Sequence, residues 1–448
     1  MTSNWKRILL LALPSIASFA TATVTGTINL IILGQLGALV IAIVGVSNII
    51  MYNAFAIFSG LGHTVNYLVA QNYGAQDMKK GIERTYMSLL FAVVFGLIIF
   101  GVGLSASDLI LRMTGGNAEF INTGSAYLQV RFFAMALGII VFTFHGFLRG
   151  IGATRTSMVL SISANAIMVF LTYGLAFGKF GLPDWGLVGA GWAIVAGEAF
   201  NLLGCLFVYF ILLHKRYGTR TRPRFDRSEA RLILQESGKL GVQEFSMSIS
   251  MYIFTIFVMQ IGTKAVAANE IALNVMSFGF MPAFAFGATA TIIVGQEVGD
   301  RNPNAARRAG TDTAIMGTLF LLVLGVIEFF FAEPIAKLYA PTEPEVYELA
   351  AYLISVSAFL QLFDGLLNFY AGGLRGIGDT TFLLKSSFVL SAFLFVPLAY
   401  VLIFLFDMGS LGAWISLYTF ITVYGLAVTY RFYRTNWSEV QVKEASHP

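Results

Sequence analysis

Charge is scarce in this chain. Only 12% of its 448 residues are Asp, Glu, Lys or Arg, about half of what a soluble domain carries. That shortage excludes a water-solvated surface over most of its length. Cysteine is scarcer still: Cys205 stands alone in an apolar segment, so no disulfide forms within the chain and no cysteine cluster holds a metal. Four histidines (His63, His145, His214 and His447) show no ligand spacing. Phosphate-binding loops and nucleophile motifs are missing too, so the sequence reads as a non-enzyme without cofactor or metal.

Long apolar runs fill the space. Hydrophobic residues make up 57% of the chain. Twelve runs stand out, over 8–33, 42–69, 86–107, 122–148, 157–178, 188–213, 238–261, 270–295, 312–332, 349–374, 382–406 and 411–432. At 1.5 Å rise per residue each crosses a hydrocarbon core of about 30 Å. The first run follows Lys6 and Arg7 and is too long for a signal-peptide core, so it reads as a retained span. Pro14, Pro282 and Pro397 fall inside spans, where membrane helices accommodate them as kinks. With the N-terminus inside and sides alternating, 23 of the 28 Lys and Arg residues fall on the cytoplasmic side. Arg112, Lys179, Lys264 and Lys337 fall outside, and Arg131 lies within a span. This bias predicts a multi-pass protein of the plasma (inner) membrane with both termini cytoplasmic. The basic stretch 214–237 reads as a solvated linker in reach of anionic lipid. Tethered between spans, it is no nucleic-acid binder.

The chain repeats itself. Gly146–Thr156 (GFLRGIGATRT) and Gly372–Phe382 (GGLRGIGDTTF) agree at seven of eleven positions. At nearly the same interval, Val69, Gln71 and Gly74 recur as Val294, Gln296 and Gly299, and Gly186, Gly189 and Ala190 recur as Gly409, Gly412 and Ala413. The matches keep their order and their places relative to the spans. The expected fold is therefore an all-α polytopic membrane protein of twelve transmembrane helices in two pseudo-twofold-related six-helix bundles, 1–213 and 238–448. Six spans per half make the repeat parallel, an architecture suited to alternating access. Nothing in the sequence requires more than a monomer.

Several strings carry a family resemblance: Ala-Leu-Pro-Ser at 12–15, Gly34-Gln35-Leu36-Gly37, Val69 to Asp77, Asn269 to Asn274, Val294 to Gly299, and Phe363-Asp-Gly365 followed by Leu374 to Asp379. With them the chain resembles the multidrug and toxic compound extrusion (MATE) transporters, most of all their DinF-like branch. The resemblance implies an antiporter that exports lipophilic, often cationic organic compounds against inward protons or sodium ions. One departure stands out. Many members have a helix-one aspartate where Asn29 stands here, and an Asn-x-x-x-Asp pair in helix five where Asn165 is followed by Val169.

An ionisable residue deep in a span costs about 2.5–3.5 kcal/mol on insertion scales and needs a reason. Asp364 is the leading candidate for coupling, with Gln361 and Asn368 on the same helical face and a match to an aspartate of the family's helix ten. Glu244 and Asn274 are further candidates for binding the coupling cation or substrate. Asn29, Asn165, Glu198 and Asn201 form a candidate polar set in the first half, with Glu198 expected to pair across helices and Arg131 as an available partner. Tyr252, Phe254, Phe257, Phe284, Phe286 and Tyr370 are candidate cavity aromatics for cation–π contact, against core packing as the alternative. Protons are the expected coupling ion and sodium the alternative. The rival function is a flippase for lipid-linked precursors, which calls for a cationic cavity where this chain offers only Arg131.

Overall fold

The computed structural model describes residues 2–222 and 224–446; His447 lies outside them. Among the described residues, twelve helices are long and apolar enough to cross a membrane. They are α1 (Thr2–Gly34), α2 (Ala38–Gly74), α3 (Met78–Met113), α4 (Ala118–Gly150), α5 (Thr154–Phe177), α6 (Gly186–Tyr217), α7 (Arg227–Ile261), α8 (Thr263–Gly299), α9 (Pro303–Phe330), α10 (Pro344–Gly376), α11 (Thr380–Leu405) and α12 (Gly409–Arg434). All twelve expected spans are present. Most run a turn or more past the apolar segment, because polar end residues continue the helix where hydropathy stops reporting it. The basic stretch 214–237 is one such case: it is helical over His214–Tyr217 and again from Arg227, and of the residues between, 218–222 and 224–226 are non-helical. A short helix, Ala332–Tyr339, follows α9. Pro397 lies between two π-helical turns of α11, 391–395 and 401–405. A missing N–H is absorbed most easily where the bonding is already widened.

The repeat extends to backbone and packing. Asp77 caps α3 by accepting from the Lys80 N–H at 3.3 Å, and its repeat counterpart Asn302 caps α9 by accepting from the Ala305 N–H at 3.1 Å. The second glycine of each Leu-Arg-Gly-Ile-Gly string, Gly152 and Gly378, takes φ +80°, a left-handed turn that a side chain would strain. Helix pairs also meet at equivalent glycines. A Cβ on Gly146 of α4 would stand 2.4 Å from the Gly62 carbonyl of α2, and one on Gly372 of α10 would stand 2.1 Å from the Gly287 carbonyl of α8. Such close approach suits helices that associate in lipid, where packing replaces the hydrophobic drive.

The chain packs as two compact units. One holds 1–16, 74–76 and 242–443; the other holds 17–73, 77–241 and 444–448. They follow the sequence halves except at short segments. α1 passes from one unit to the other after Ile16, and α7 does so after Gly241. Ile16 and Gly241 hold equivalent places in the two repeats. In the second unit, the start of α7 is held by Glu229, whose carboxylate takes Arg84 Nε at 2.8 Å and Nη2 at 3.3 Å, and by Glu236, which accepts from the Tyr67 hydroxyl at 2.7 Å. In the first unit, the start of α1 is held by Asn4, which donates to Asp312 at 3.1 Å, and by Arg7, which pairs with Glu297 at 2.8 Å.

Candidate functional site

Three helices of the first unit build a buried polar cluster. Asp364 and Gln361 of α10 are one turn apart and 5% and 1% exposed. Glu328 of α9, 4% exposed, lies beside Gln361. Gln361 fits there because two glycines make room. A Cβ on Gly279 of α8 would stand 2.0 Å from its Oε1, and one on Gly325 of α9 2.9 Å from its Nε2. Asp364 Oδ2 is buried with no hydrogen-bond partner among the described residues, and Glu328 and Gln361 are buried side by side with each other as their only described polar neighbours. An unpartnered buried oxygen costs about 1–3 kcal/mol. Such a cluster within spans is a costly core but a ready receptor for a cation or proton. Among the described residues no trio of His, Cys, Asp and Glu is arranged to hold a metal ion.

The remaining second-half candidates go elsewhere. Asn368 turns back on its own helix, donating to the Asp364 carbonyl at 2.8 Å. Glu244 pairs with Arg375, the arginine of the second Leu-Arg-Gly-Ile-Gly string, at 3.6 Å. Asn274 is exposed and accepts from Tyr339 of the short helix at 2.8 Å, so it is not part of the Asp364 cluster. Of the aromatics, Phe254, Phe286 and Tyr370 are buried in the core. Phe254 stacks on Phe395, Phe286 lies between Phe320 and Phe369, and Tyr370 shares a hydrogen bond with Tyr433 at 2.7 Å. Phe257 packs on Tyr400 and Phe404, and Phe284 stacks on Phe280. Tyr252 is the most open, at 37% exposed.

In the second unit, Asn201 of α6 meets His145 Nε2 of α4 at 3.0 Å, while His145 Nδ1 bonds Ser157 of α5. Glu198, one turn from Asn201, lies against Gly138 of α4, where a Cβ would stand 3.7 Å from its carboxylate. Gly138 is the repeat counterpart of Asp364. Glu198 forms no ion pair with Arg131, whose Nη1 donates instead to Asn48 at 2.8 Å and Tyr127 at 2.9 Å. Asn29 and Asn165 are half-buried and bond to none of these groups; Asn29 Oδ1 has no hydrogen-bond partner among the described residues. A cavity of about 530 Å³ in this unit is apolar, lined by Tyr86, Phe144, Leu202, Leu206, Phe210 and Phe225 among others, and touches none of the polar set.

Sequence reasoning passed over Glu328. Its signal was present: it is the sole acid in the apolar run from Thr313 to Phe331. It drew no attention because it lies near the end of an expected span, where an acid is cheap.

Twelve spans in two six-span repeats, with buried carboxylates inside one of them, define a secondary-transporter fold. The MatE family model matches twice, over residues 14–173 and 240–401, and the chain belongs to this family of transporters rather than to any enzyme class. The two matches begin at equivalent places in the internal repeat. The chain is 27% identical to a probable multidrug resistance protein NorM of Thermotoga maritima over 92% of this chain and 88% of that protein. It is 29% identical to the multidrug resistance protein PmpM of Pseudomonas aeruginosa over 84% and 79%. In fold it matches a MOP superfamily transporter from Pyrococcus furiosus at TM-score 0.88, with 20% identity over 96% of this chain and 95% of that one. An outward-facing MATE family multidrug transporter matches at 0.87, with 20% identity over 96% of each chain.

Proposed function

We propose that this protein is a proton-coupled antiporter that exports lipophilic, mostly cationic drugs across the plasma membrane by alternating access, with both termini cytoplasmic and the monomer as the working unit. The observation that carries the reading is the buried Asp364 carboxylate, whose Oδ2 has no hydrogen-bond partner among the described residues, one turn from Gln361 and its neighbour Glu328. Ionised, Asp364 attracts the cationic substrate or the coupling cation. Protonation removes that attraction and releases the drug outside. Glu244 serves the same half through Arg375, Asn368 shapes the Asp364 backbone, and Asn274 acts through its bond with Tyr339 of the short helix. The first half contributes Glu198, Asn201, Asn29 and Asn165 as a secondary polar set, and Tyr252, Phe257 and Phe284 offer aromatic faces to flat cations.

One feature favours sodium as a second reading: Asp364, Glu328 and Gln361 bring buried side-chain oxygens together, and a hard cation takes oxygen ligands. The branch is proposed as DinF-like on the motif strings alone; the relatives that match by sequence carry the names NorM and PmpM.

The test is efflux of a fluorescent lipophilic cation from proteoliposomes under an imposed pH gradient or an imposed sodium gradient. Export driven by the pH gradient and lost in Asp364→Asn supports the proposal. Export driven by sodium alone replaces the coupling ion. No cation transport under either gradient points to the lipid-precursor flippase.

A further inference from the structure

Arg131 is out of place in an apolar helix. It stands thirteen residues after the start of α4 and nineteen before its end, roughly 20 and 29 Å along the axis. A guanidinium at that depth faces the bundle interior or water, because lipid offers it nothing. Its repeat counterpart is Ser357, whose hydroxyl only bonds back to its own helix at Ile354. The fold therefore does not require a charge at this position. The two halves have opposite endowments on equivalent helices: Arg131 and Gly138 on α4, Ser357 and Asp364 on α10.

The side chain is held and yet uncommitted. Nη1 donates to Asn48 Oδ1 and to the Tyr127 hydroxyl, and the guanidinium lies 5.6 Å from the Tyr127 ring centroid. Tyr127 is 1% exposed and fixed in the core of the second unit, whereas Asn48 is exposed. Nε and Nη2, the edge that binds a carboxylate with two parallel hydrogen bonds, have no described partner, and no described carboxylate lies within ion-pairing distance. The acid on the adjoining helix, Glu198, sits two turns away at Gly138. A planar donor fork, braced on one nitrogen and free along the other edge, is an anion receptor.

We propose that Arg131 is the specificity-determining residue that holds the carboxylate of substrates carrying one beside their cationic group. This rests on the drug-export reading above and assigns a recognition residue to it. A neutral amide at 131 loses the fork and the charge; lysine keeps the charge and loses the fork.

The experiment measures transport of rhodamine B, which carries a free carboxyl, and of its ethyl ester, a plain cation, in proteoliposomes of wild type, Arg131→Gln and Arg131→Lys. The expected result is a roughly ten- to hundredfold rise in the KM for the acid relative to the ester in Arg131→Gln, with a smaller rise in Arg131→Lys, as for a lost charge-assisted bidentate pair. Ester transport shows that the variants are folded. An unchanged acid-to-ester ratio in both variants overturns the proposal while leaving drug export standing. Wild type that moves neither dye overturns the drug-export reading itself. All variants are compared in phosphatidylcholine vesicles with and without phosphatidylglycerol; an effect seen only with phosphatidylglycerol assigns Arg131 to a lipid headgroup and overturns the proposal.

Discussion

Glu229→Gln tests whether the start of α7 is part of the cooperative core of the unit it packs in. Arg84 is 1% exposed, and its guanidinium donates two hydrogen bonds to Glu229 and a third to Asn72. Removing the negative charge leaves a buried cation, which costs about 3–5 kcal/mol. That is a shift of about 150- to 5,000-fold in the equilibrium between packed and opened unit. The chain carries its own reporter. Cys205, its sole cysteine, is 1% exposed. It packs in the same cluster as Ile82 and Leu89, the neighbours of Arg84 along α3. When opening is fast relative to labelling, the rate at which a maleimide modifies Cys205 follows that equilibrium. Labelling in Glu229→Gln should therefore accelerate by that same factor, about 150- to 5,000-fold, and Arg84→Met combined with Glu229→Gln should recover much of the loss, since the buried charge that lost its carboxylate is gone. An acceleration of less than about fivefold, near 1 kcal/mol and typical of an exposed pair, would refute the reasoning.

Gly372→Ala should cost at least the ~3 kcal/mol of severe overpacking, because its new Cβ meets backbone that cannot step aside. Gly45→Ala, with no atom within 4 Å of the added carbon, should melt like wild type, and a thermal-shift series on purified protein compares the two. Glu328→Gln should reduce gradient-driven export at least tenfold while leaving the melting temperature equal or higher, since it removes an uncompensated buried charge; full export in this variant would exclude Glu328 from the coupling cluster.

The spans were legible because lipid demands an apolar run of fixed length, and the repeat because glycine contacts and left-handed turns tolerate few substitutes. Asp364 and Gln361 stood out for a related reason: a polar stripe in an apolar helix reads as a coupling site or as an interhelical hydrogen bond, and either one needs a partner that lipid does not supply. Glu328 was not, because whether it turns toward Gln361 depends on Gly279 and Gly325, which lie on two different helices. The pairing of Glu244 with Arg375 and of Asn274 with Tyr339 was equally hidden, since each joins residues far apart in the chain with no local pattern linking them. Phe254, Phe286 and Tyr370 could not be sorted from cavity aromatics, because a ring facing the core and one facing open space look alike in sequence.

The crossing of α1 and α7 between packing units bears on how the chain is made. The ribosome delivers residues 2–16 long before residues 242–443, with which they pack, exist. The unit containing α2 to α6 is likewise incomplete until 227–241 have emerged, since Arg84 and Tyr67 wait for Glu229 and Glu236. A nascent first half cannot close on itself and depart as a finished bundle; it stays in need of the second. A chain terminated in the basic connection leaves the insertion machinery with Arg84 and Tyr67 still waiting for Glu229 and Glu236, which makes it a substrate for quality control rather than half a transporter.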